Sequence, residues 1–325
     1  MTERALVVTA HGDRGVLAVQ EWSVPEPGPG EVAVQVEAIG VNFIDVYQRE
    51  GIYPIETPFV LGSEGAGVVR AVGSDVHGIA EGDRVAWAMV LGTGSSTAIV
   101  AADKAVPVPD GVSSDEAAAA MLQGMTAHYL ATDTYAVRAG DWALVHAAAG
   151  GVGQLLTQFV VARGGRVVAT AGTDEKCDIA RLRGAEVTIN YREVDDVAGA
   201  VRAATGGSGV HVVYDGVGAS TFEASLASLR PRGVLALYGA ASGPVPPVDP
   251  QRLNTGGSLY LTRPSLTHYI LDRDELLRRS REVLGAVADG SLRLDIGGRY
   301  PIDRAAEAYE ALEARASTGK LLLIP

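Results

Sequence analysis

One cysteine, Cys177, stands in 325 residues, and that scarcity sets the first limits. A single thiol closes no internal disulfide and supplies no thiolate cluster for a structural zinc, so a reducing compartment is the simplest expectation. Basic charge is also short. Lys and Arg total 27 against 39 Asp and Glu, a formal net charge of −12. A chain that acidic repels nucleic acid and anionic membranes on average, although a local basic pocket for a phosphate stays open. Apolar runs of the roughly 18 residues that a membrane-spanning helix needs are missing. The charged opening MTERALVVTAHGDRG has no apolar core of the secretory kind. The expectation is a cytoplasmic protein with neither a nucleic-acid nor a membrane partner.

What is present reads as an ordinary globular chain, 47% hydrophobic and 20% charged, long enough for two domains or one large α/β domain. Glycine is abundant at 40 residues, so many tight turns or close backbone approaches are expected. The first hundred residues are β-rich, with strands expected over 5–8, 17–22, 31–38, 65–72 and 84–87, separated by Gly and Pro. Val32, Val34 and Val36 alternate with Ala33, Gln35 and Glu37, which implies a strand with one buried face. An alanine-rich helix opens near Ser113, with a break expected at Gly124. Strands and helices then alternate. Strands are expected over 142–147, 166–172, 187–191, 211–218 and 233–241, with helices over 150–164, 174–184, 192–207 and 221–231 between them. Strands that apolar have no wet face, so a doubly wound parallel sheet covered on both sides is expected. A helix near 272–290, a short strand, a helix over 302–316 and the ending KLLLIP are expected to return to the β-rich domain. The expected boundaries are 1–122, 123–265 and 266–325.

The segment DWALVHAAAGGVGQLL runs a buried strand into a glycine-rich turn that opens a helix, the setting a dinucleotide fingerprint requires. The G-x-G-x-x-G spacing falls on Ala148, Gly150 and Gly153, with alanine at the first position. Gly150 lets the backbone approach a pyrophosphate, and Gly153 lets the helix pack close to the strand. Ala149, Gly151 and Val152 complete the loop, whose free N–H groups lie at the positive end of the helix. Packing alone also produces glycine turns, so the strands around the loop carry part of the reading. The next strand ends RVVATAGTDEK, and no carboxylate stands at Ala171 or Gly172, where an NAD site places its acid. Thr173 and Lys176 follow, a hydroxyl and a cation suited to the 2′-phosphate of NADPH. Asp174 and Glu175 lie between them, and a solvated helix-face charge is the other reading of Lys176.

The segments GVNFIDVYQREGIYP (40–54), GSEGAGVV (62–69), GDRV (82–85), HAAAGGVG (146–153), INYRE (189–193), VVYDGVG (212–218) and GSLYLTRPSL (257–266) extend over essentially the whole chain. Together they resemble the quinone oxidoreductases, the zeta-crystallin branch of the medium-chain dehydrogenase/reductase superfamily. The resemblance implies a GroES-like β-rich catalytic domain built from both chain ends, a central Rossmann domain, a cleft between them, and a homodimer formed through the Rossmann sheets. It also implies the loss of zinc. Where the zinc alcohol dehydrogenases carry Cys, His and Cys ligands, this chain has Asn42, Ser63 and about Gln123, and none presents a thiolate or imidazole. The six histidines show no metal-ligand spacing. Without a metal to lower a hydroxyl pKa, a simple alcohol is poorly activated, whereas a quinone or enone is already electrophilic. The protein's task is then to position the nicotinamide against the acceptor.

By the same resemblance, Asn42 is a candidate for the nicotinamide ribose or the acceptor oxygen, and Tyr47 and Tyr53 for the acceptor pocket, unless they merely pack. Gln123 and Thr126 fall at the nicotinamide end, Tyr191 near the adenine ribose phosphate, Val217, Tyr238 and Gly239 near the nicotinamide, and Arg263 in the cleft. Lys320 is a candidate to reach the cofactor, with a surface lysine as the alternative. Asp45 is expected to be structural, and Cys177 inert or exposed but not catalytic. The expected function is NADPH-dependent, zinc-independent hydride transfer to a quinone. The alternatives are an enone or alkenal double-bond reductase and a low-turnover NADPH-binding protein.

Overall fold

A computed structural model describes residues 2–325, which divide into two compact units. One runs to Met125 and resumes over Tyr269–Pro325, and the other is Thr126–His268. Among the described residues no helix is long and apolar enough to cross a membrane.

The first unit opens with β1 (Thr2–Val8), β2 (Leu17–Ser23), β3 (Glu31–Gly40), α1 (Phe43–Arg49) and β4 (Phe59–Val60). It continues through β5 (Glu64–Val72), β6 (Arg84–Ala88), β7 (Thr97–Ala101), β8 (Val106–Pro107) and α2 (Ser114–Tyr129), whose last residues lie in the second unit. Alternation along β3 is as the sequence implies except at Ala33, which is buried as well, where β7 pairs with this part of the strand. Val32, Val34 and Val36 are buried in a core with Val85 and Trp87, while Gln35 and Glu37 are exposed. Each such side chain contributes roughly 1.5–3 kcal/mol by leaving water.

Helix α2 does not break at Gly124. The glycine serves packing instead, because a Cβ there would lie 2.6 Å from Val283 Cγ1. The irregularity comes later, in a single π turn over Leu130–Thr134.

In the second unit β9 (Trp142–Val145), α3 (Gly151–Ala162), β10 (Arg166–Ala171), α4 (Asp174–Leu182) and β11 (Val187–Asn190) alternate as the apolar runs suggest. Then come α5 (Val197–Ala204), β12 (Val210–Asp215), α6 (Phe222–Ser228), β13 (Leu229–Leu237), α7 (Gln251–Thr255) and β14 (Tyr260–Thr262). All pairings are parallel, in the order β11-β10-β9-β12-β13-β14. The order reverses between β9 and β12, the switch point where open α/β sheets bind their ligands. Helix α5 starts at Val197, not at 192, because the Asp196 side chain caps it by accepting from Gly199 N.

The chain returns to the first unit through α8 (Arg273–Ala288), β15 (Ile296–Pro301), α9 (Ala305–Glu313) and β16 (Lys320–Ile324). Strand β16 pairs antiparallel with β3, Leu322 opposite Gly40 and Leu323 opposite Ile39. That register places Lys320 beside Asn42, two residues beyond the end of β3.

Candidate functional site

In the second unit, the strand ends at the sheet's switch point form the first group. The chain leaves β9 through His146 and turns at Ala147, a non-glycine residue in the left-handed region with φ 50°. Gly150 is the N-cap of α3, no side chain caps that terminus, and no acid stands in its first turn. Its N–H groups and positive end are therefore free to meet an anion. A Cβ at Gly153 would lie 2.5 Å from Ala147 O and 2.7 Å from Ala148 Cα, so the helix sits against the loop as only glycine allows. At Gly150 the nearest atom to an added Cβ, Ala147 O, is 3.2 Å away, which leaves a face open to a ligand. The loop is pinned from below. Gln154 Nε2 donates to Ala149 O at 2.9 Å, and Arg183 Nε donates to Gln154 Oε1 at 2.8 Å.

After β10, Thr173 caps α4 by accepting from Lys176 N at 3.3 Å. Lys176 is half-buried, and burial followed by the nearby Arg192 lowers its pKa from the ordinary lysine value. Arg192 did not stand out in the sequence, since it follows the loop of a different strand; two cations now share this corner. Tyr191 lies here too, its phenol oxygen 2.5 Å from where a Cβ of Gly172 would be. Cys177 is buried, and that burial raises its thiol pKa, so it stays protonated. It is the inert thiol of the two alternatives.

Asp215 closes β12 and organises the next turn. Its Oδ1 accepts from Val217 N at 2.8 Å and Gly218 N at 3.0 Å. Val217 O accepts from Ser242 N at 2.7 Å. Gly239, after β13, comes so near that a Cβ would stand 2.4 Å from Gly216 O, and a Cβ at Gly216 would meet the Tyr238 ring at 2.8 Å. Val217, Tyr238 and Gly239 thus share one tight corner. Arg263 is exposed, and Thr126 is buried.

The second group lies in the first unit. Asn42 Nδ2 donates to Gly40 O at 3.1 Å and Glu64 Oε2 at 2.8 Å. Its Oδ1 accepts from Lys320 Nζ at 2.7 Å and from Gln123 Nε2 at 3.3 Å. Lys320 Nζ also donates to Glu64 Oε2 at 2.5 Å, and Glu64 Oε1 accepts from Leu122 N at 2.5 Å. Lys320 is 2% exposed, which removes the surface-lysine alternative. Gly40 makes room for the carboxylate, since a Cβ there would lie 2.2 Å from Glu64 Oε2. Ser63 Oγ donates to Gln48 Oε1 at 3.5 Å. Among the described residues no group of three or more His, Cys, Asp or Glu is arranged to hold a metal.

Gln123 carries the most informative atom of this group. Because Asn42 Oδ1 already accepts from Lys320, the amide nitrogen of Gln123 must face it. Gln123 Oε1 is then buried with no partner. A buried orphan acceptor costs about 1–3 kcal/mol, so it fits a ligand that brings an N–H or O–H. Tyr47 and Tyr53 lie edge to face with ring centroids 5.5 Å apart, and Tyr53 is exposed.

Asp45 supports Asn42 from beneath. Its Oδ2 accepts from Asn42 N at 2.8 Å and Tyr309 Oη at 3.0 Å, while Oδ1 has no partner. Burial pushes its pKa up to about 7, with Glu64 adding to the rise and Asn42, Tyr309 and Lys320 opposing it. The folded state therefore holds this proton more tightly than the unfolded chain, and stability falls as pH rises from about 4 to about 7, by up to about 1.4 kcal/mol per unit. Urea denaturation of the wild type and Asp45→Asn should show the wild type losing ground between pH 5 and pH 7. Parallel curves across that range would mean that Asp45 is ionised throughout.

The chain matches two families, described as the alcohol dehydrogenase GroES-like domain over residues 28–137 and zinc-binding dehydrogenase over residues 151–279. It is 46% identical over 319 residues to a quinone oxidoreductase of Salmonella typhimurium, covering 97% of each chain. It is 40% identical over 329 residues to a 2-haloacrylate reductase of a Burkholderia species, covering 99% of this chain and 98% of the relative. The crystal structure of Escherichia coli quinone oxidoreductase complexed with NADPH superposes with a TM-score of 0.97 at 43% identity, covering 99% of this chain and 100% of that one. With its doubly wound parallel sheet and its GroES-like unit, the chain belongs to the quinone oxidoreductases of the medium-chain dehydrogenase/reductase superfamily.

Proposed function

We propose that this protein is an NADPH-dependent quinone oxidoreductase that transfers hydride without a metal. The observation that carries the reading is the Lys320 ammonium, buried between Asn42 and Glu64 where the zinc dehydrogenases gather metal ligands. Bound NADPH supplies a hydride from its nicotinamide ring, and the chain's residues bind, orient and exclude water.

In the second unit, the uncapped start of α3, with Ala149, Gly150, Gly151, Val152 and Gly153, takes the pyrophosphate. Lys176, Tyr191 and Arg192 take the 2′-phosphate, with Thr173 holding the helix start beneath them. Val217, Tyr238, Gly239 and Thr126 are assigned to the nicotinamide end, and the exposed Arg263 is assigned to a ligand oxygen. In the first unit, Gln123 Oε1 accepts from the ligand, and Asn42 and Lys320 supply amide and ammonium charge where a reduced acceptor develops negative oxygen. Tyr47 and Tyr53 offer aromatic faces to a flat ring.

NADPH oxidation with a panel of benzoquinones and naphthoquinones tests the reading, and cofactor binding with no turnover of any acceptor would sink it. Lys176→Ala is expected to weaken NADPH binding about 10- to 100-fold, the worth of one charge-assisted hydrogen bond, with NADH unchanged. Equal losses for both cofactors would remove Lys176 from the phosphate site.

Likeness to a 2-haloacrylate reductase supports a second reading, reduction of an activated carbon–carbon double bond. Product analysis with enones and quinones side by side separates the two. A homodimer is also proposed, supported by the edge strand β14 and its Tyr260, which is 63% exposed; light scattering reads it directly. The lone buried thiol supports a reducing, cytoplasmic setting.

A further inference from the structure

Beneath the strand-end loops of the second unit runs a buried hydrogen-bonded chain that none of these assignments uses. His146, 2% exposed, ends the β9 segment immediately before the glycine loop. Its Nδ1 lies 2.9 Å from Thr170 Oγ1 on β10, and its Nε2 lies 3.1 Å from Ser225 Oγ on α6. Ser225 Oγ in turn lies 2.7 Å from Asp215 Oδ2, the carboxylate that holds Val217 N, Gly218 N and the Thr221 hydroxyl.

The direction of each bond follows from what each group can do. A carboxylate only accepts, so the Ser225 hydroxyl hydrogen goes to Asp215. The Ser225 oxygen must then accept from His146 Nε2–H. That leaves Nδ1 as an acceptor for the Thr170 hydroxyl. Of the two neutral tautomers, only the one with its proton on Nε2 satisfies every atom of the chain. Burial lowers the His146 pKa from its ordinary value, against the pull of Asp215, which agrees with a neutral ring.

We propose that His146 is a positioning residue for the cofactor. As a neutral Nε2–H imidazole it ties the loop after β9 to the Gly216–Gly218 turn after β12 and to the end of β10. Two main-chain bonds run alongside, from Ala148 N to Thr170 O at 3.1 Å and from His146 N to Tyr214 O at 3.2 Å, but neither reaches the turn after β12. The side-chain path through Ser225 and Asp215 does so. A site of this kind tolerates displacements of only about 0.5 Å, so loosening one loop against another is expected to appear in cofactor affinity. The inference rests on the reading of these loops as the NADPH site.

Three variants test it, His146→Phe, His146→Gln and Ser225→Ala, by fluorescence titration with NADPH, steady-state kinetics and thermal unfolding. His146→Phe keeps a ring and deletes both bonds, and is expected to raise the NADPH dissociation constant and KM about tenfold while the quinone KM stays level. His146→Gln, whose amide Nε2 can still donate to Ser225, is expected to recover most of the loss. Ser225→Ala should match His146→Phe, and the double variant should be no worse than either, as members of one chain behave. If His146→Phe fails to fold, Ser225→Ala and His146→Gln decide the question. A lowered unfolding temperature with unchanged NADPH affinity in Ser225→Ala and His146→Phe overturns the proposal, as does a glutamine variant no better than phenylalanine. A wild type that binds no NADPH overturns the cofactor reading instead.

Discussion

Lys320→Met is expected to lower the unfolding free energy by about 3–5 kcal/mol, because it strands a buried carboxylate. Glu64 is fully buried, and its Oε2 faces Lys320 Nζ at 2.5 Å and Asn42 Nδ2 at 2.8 Å. Two neutral donors, the Asn42 amide and Leu122 N, remain after the substitution, and neither carries a compensating charge. The effect comes from unpairing, not from any large net worth of the ion pair. Glu64→Gln in the same chain should therefore return a substantial part of the loss, giving a coupling of about 1–3 kcal/mol in a double-mutant cycle read by urea denaturation. A loss below about 1 kcal/mol in the single variant would show that water reaches Glu64. Quinone turnover should fall in the single variant and stay low in the double, since only the fold is repaired and the ammonium beside Asn42 is still missing.

Gly153→Val should abolish useful NADPH binding, with a rise in dissociation constant of at least about a hundredfold. The added Cβ would meet Ala147 O at 2.5 Å, Ala148 Cα at 2.7 Å and Ala148 C at 3.0 Å, all of them backbone atoms that cannot rotate aside. Relief requires the first turn of α3 to leave the loop, which disperses N–H groups that must converge on one pyrophosphate. Losing one or two such charge-assisted bonds, at about 1.5–3 kcal/mol each, accounts for the hundredfold. Gly150→Ala provides the contrast. Its Cβ would meet only Ala147 O, at 3.2 Å, so the unfolding temperature should hardly move while NADPH affinity drops through obstruction of the open face. Equal thermal losses in the two variants would argue against separate packing and ligand roles for these glycines.

Much of this architecture is written locally. The strand–turn–helix order around residues 147–153, the alternation of Val32, Val34 and Val36, and the apolar strands after Trp142 depend on spacings of a few residues, which periodicity reports faithfully. The absence of an acid at Ala171 and Gly172, with Lys176 just beyond, is likewise visible in a single stretch. Short or context-bound features escape that reading. The three-residue strand β14 and the five-residue helix α7 carry no period, and Gly124 looks like a helix breaker until Val283 is seen against it. Asp196 ends one reading and begins another only because its carboxylate caps α5.

What local spacing could never supply is the company kept by Asn42. Lys320 lies 278 residues away and Glu64 22, and the Asp45–Tyr309 bond joins positions 264 apart. Pairing of β16 with β3 brings the first of these together, and packing of α9 brings the last. Types and order of elements follow from short-range periodicity and turn chemistry, so the sequence alone yields the Rossmann loop and its glycine roles. A buried charge cluster depends on strand register and desolvation, which exist only once distant segments have met, and so the ammonium among Asn42, Glu64 and Gln123 belongs to the tertiary structure.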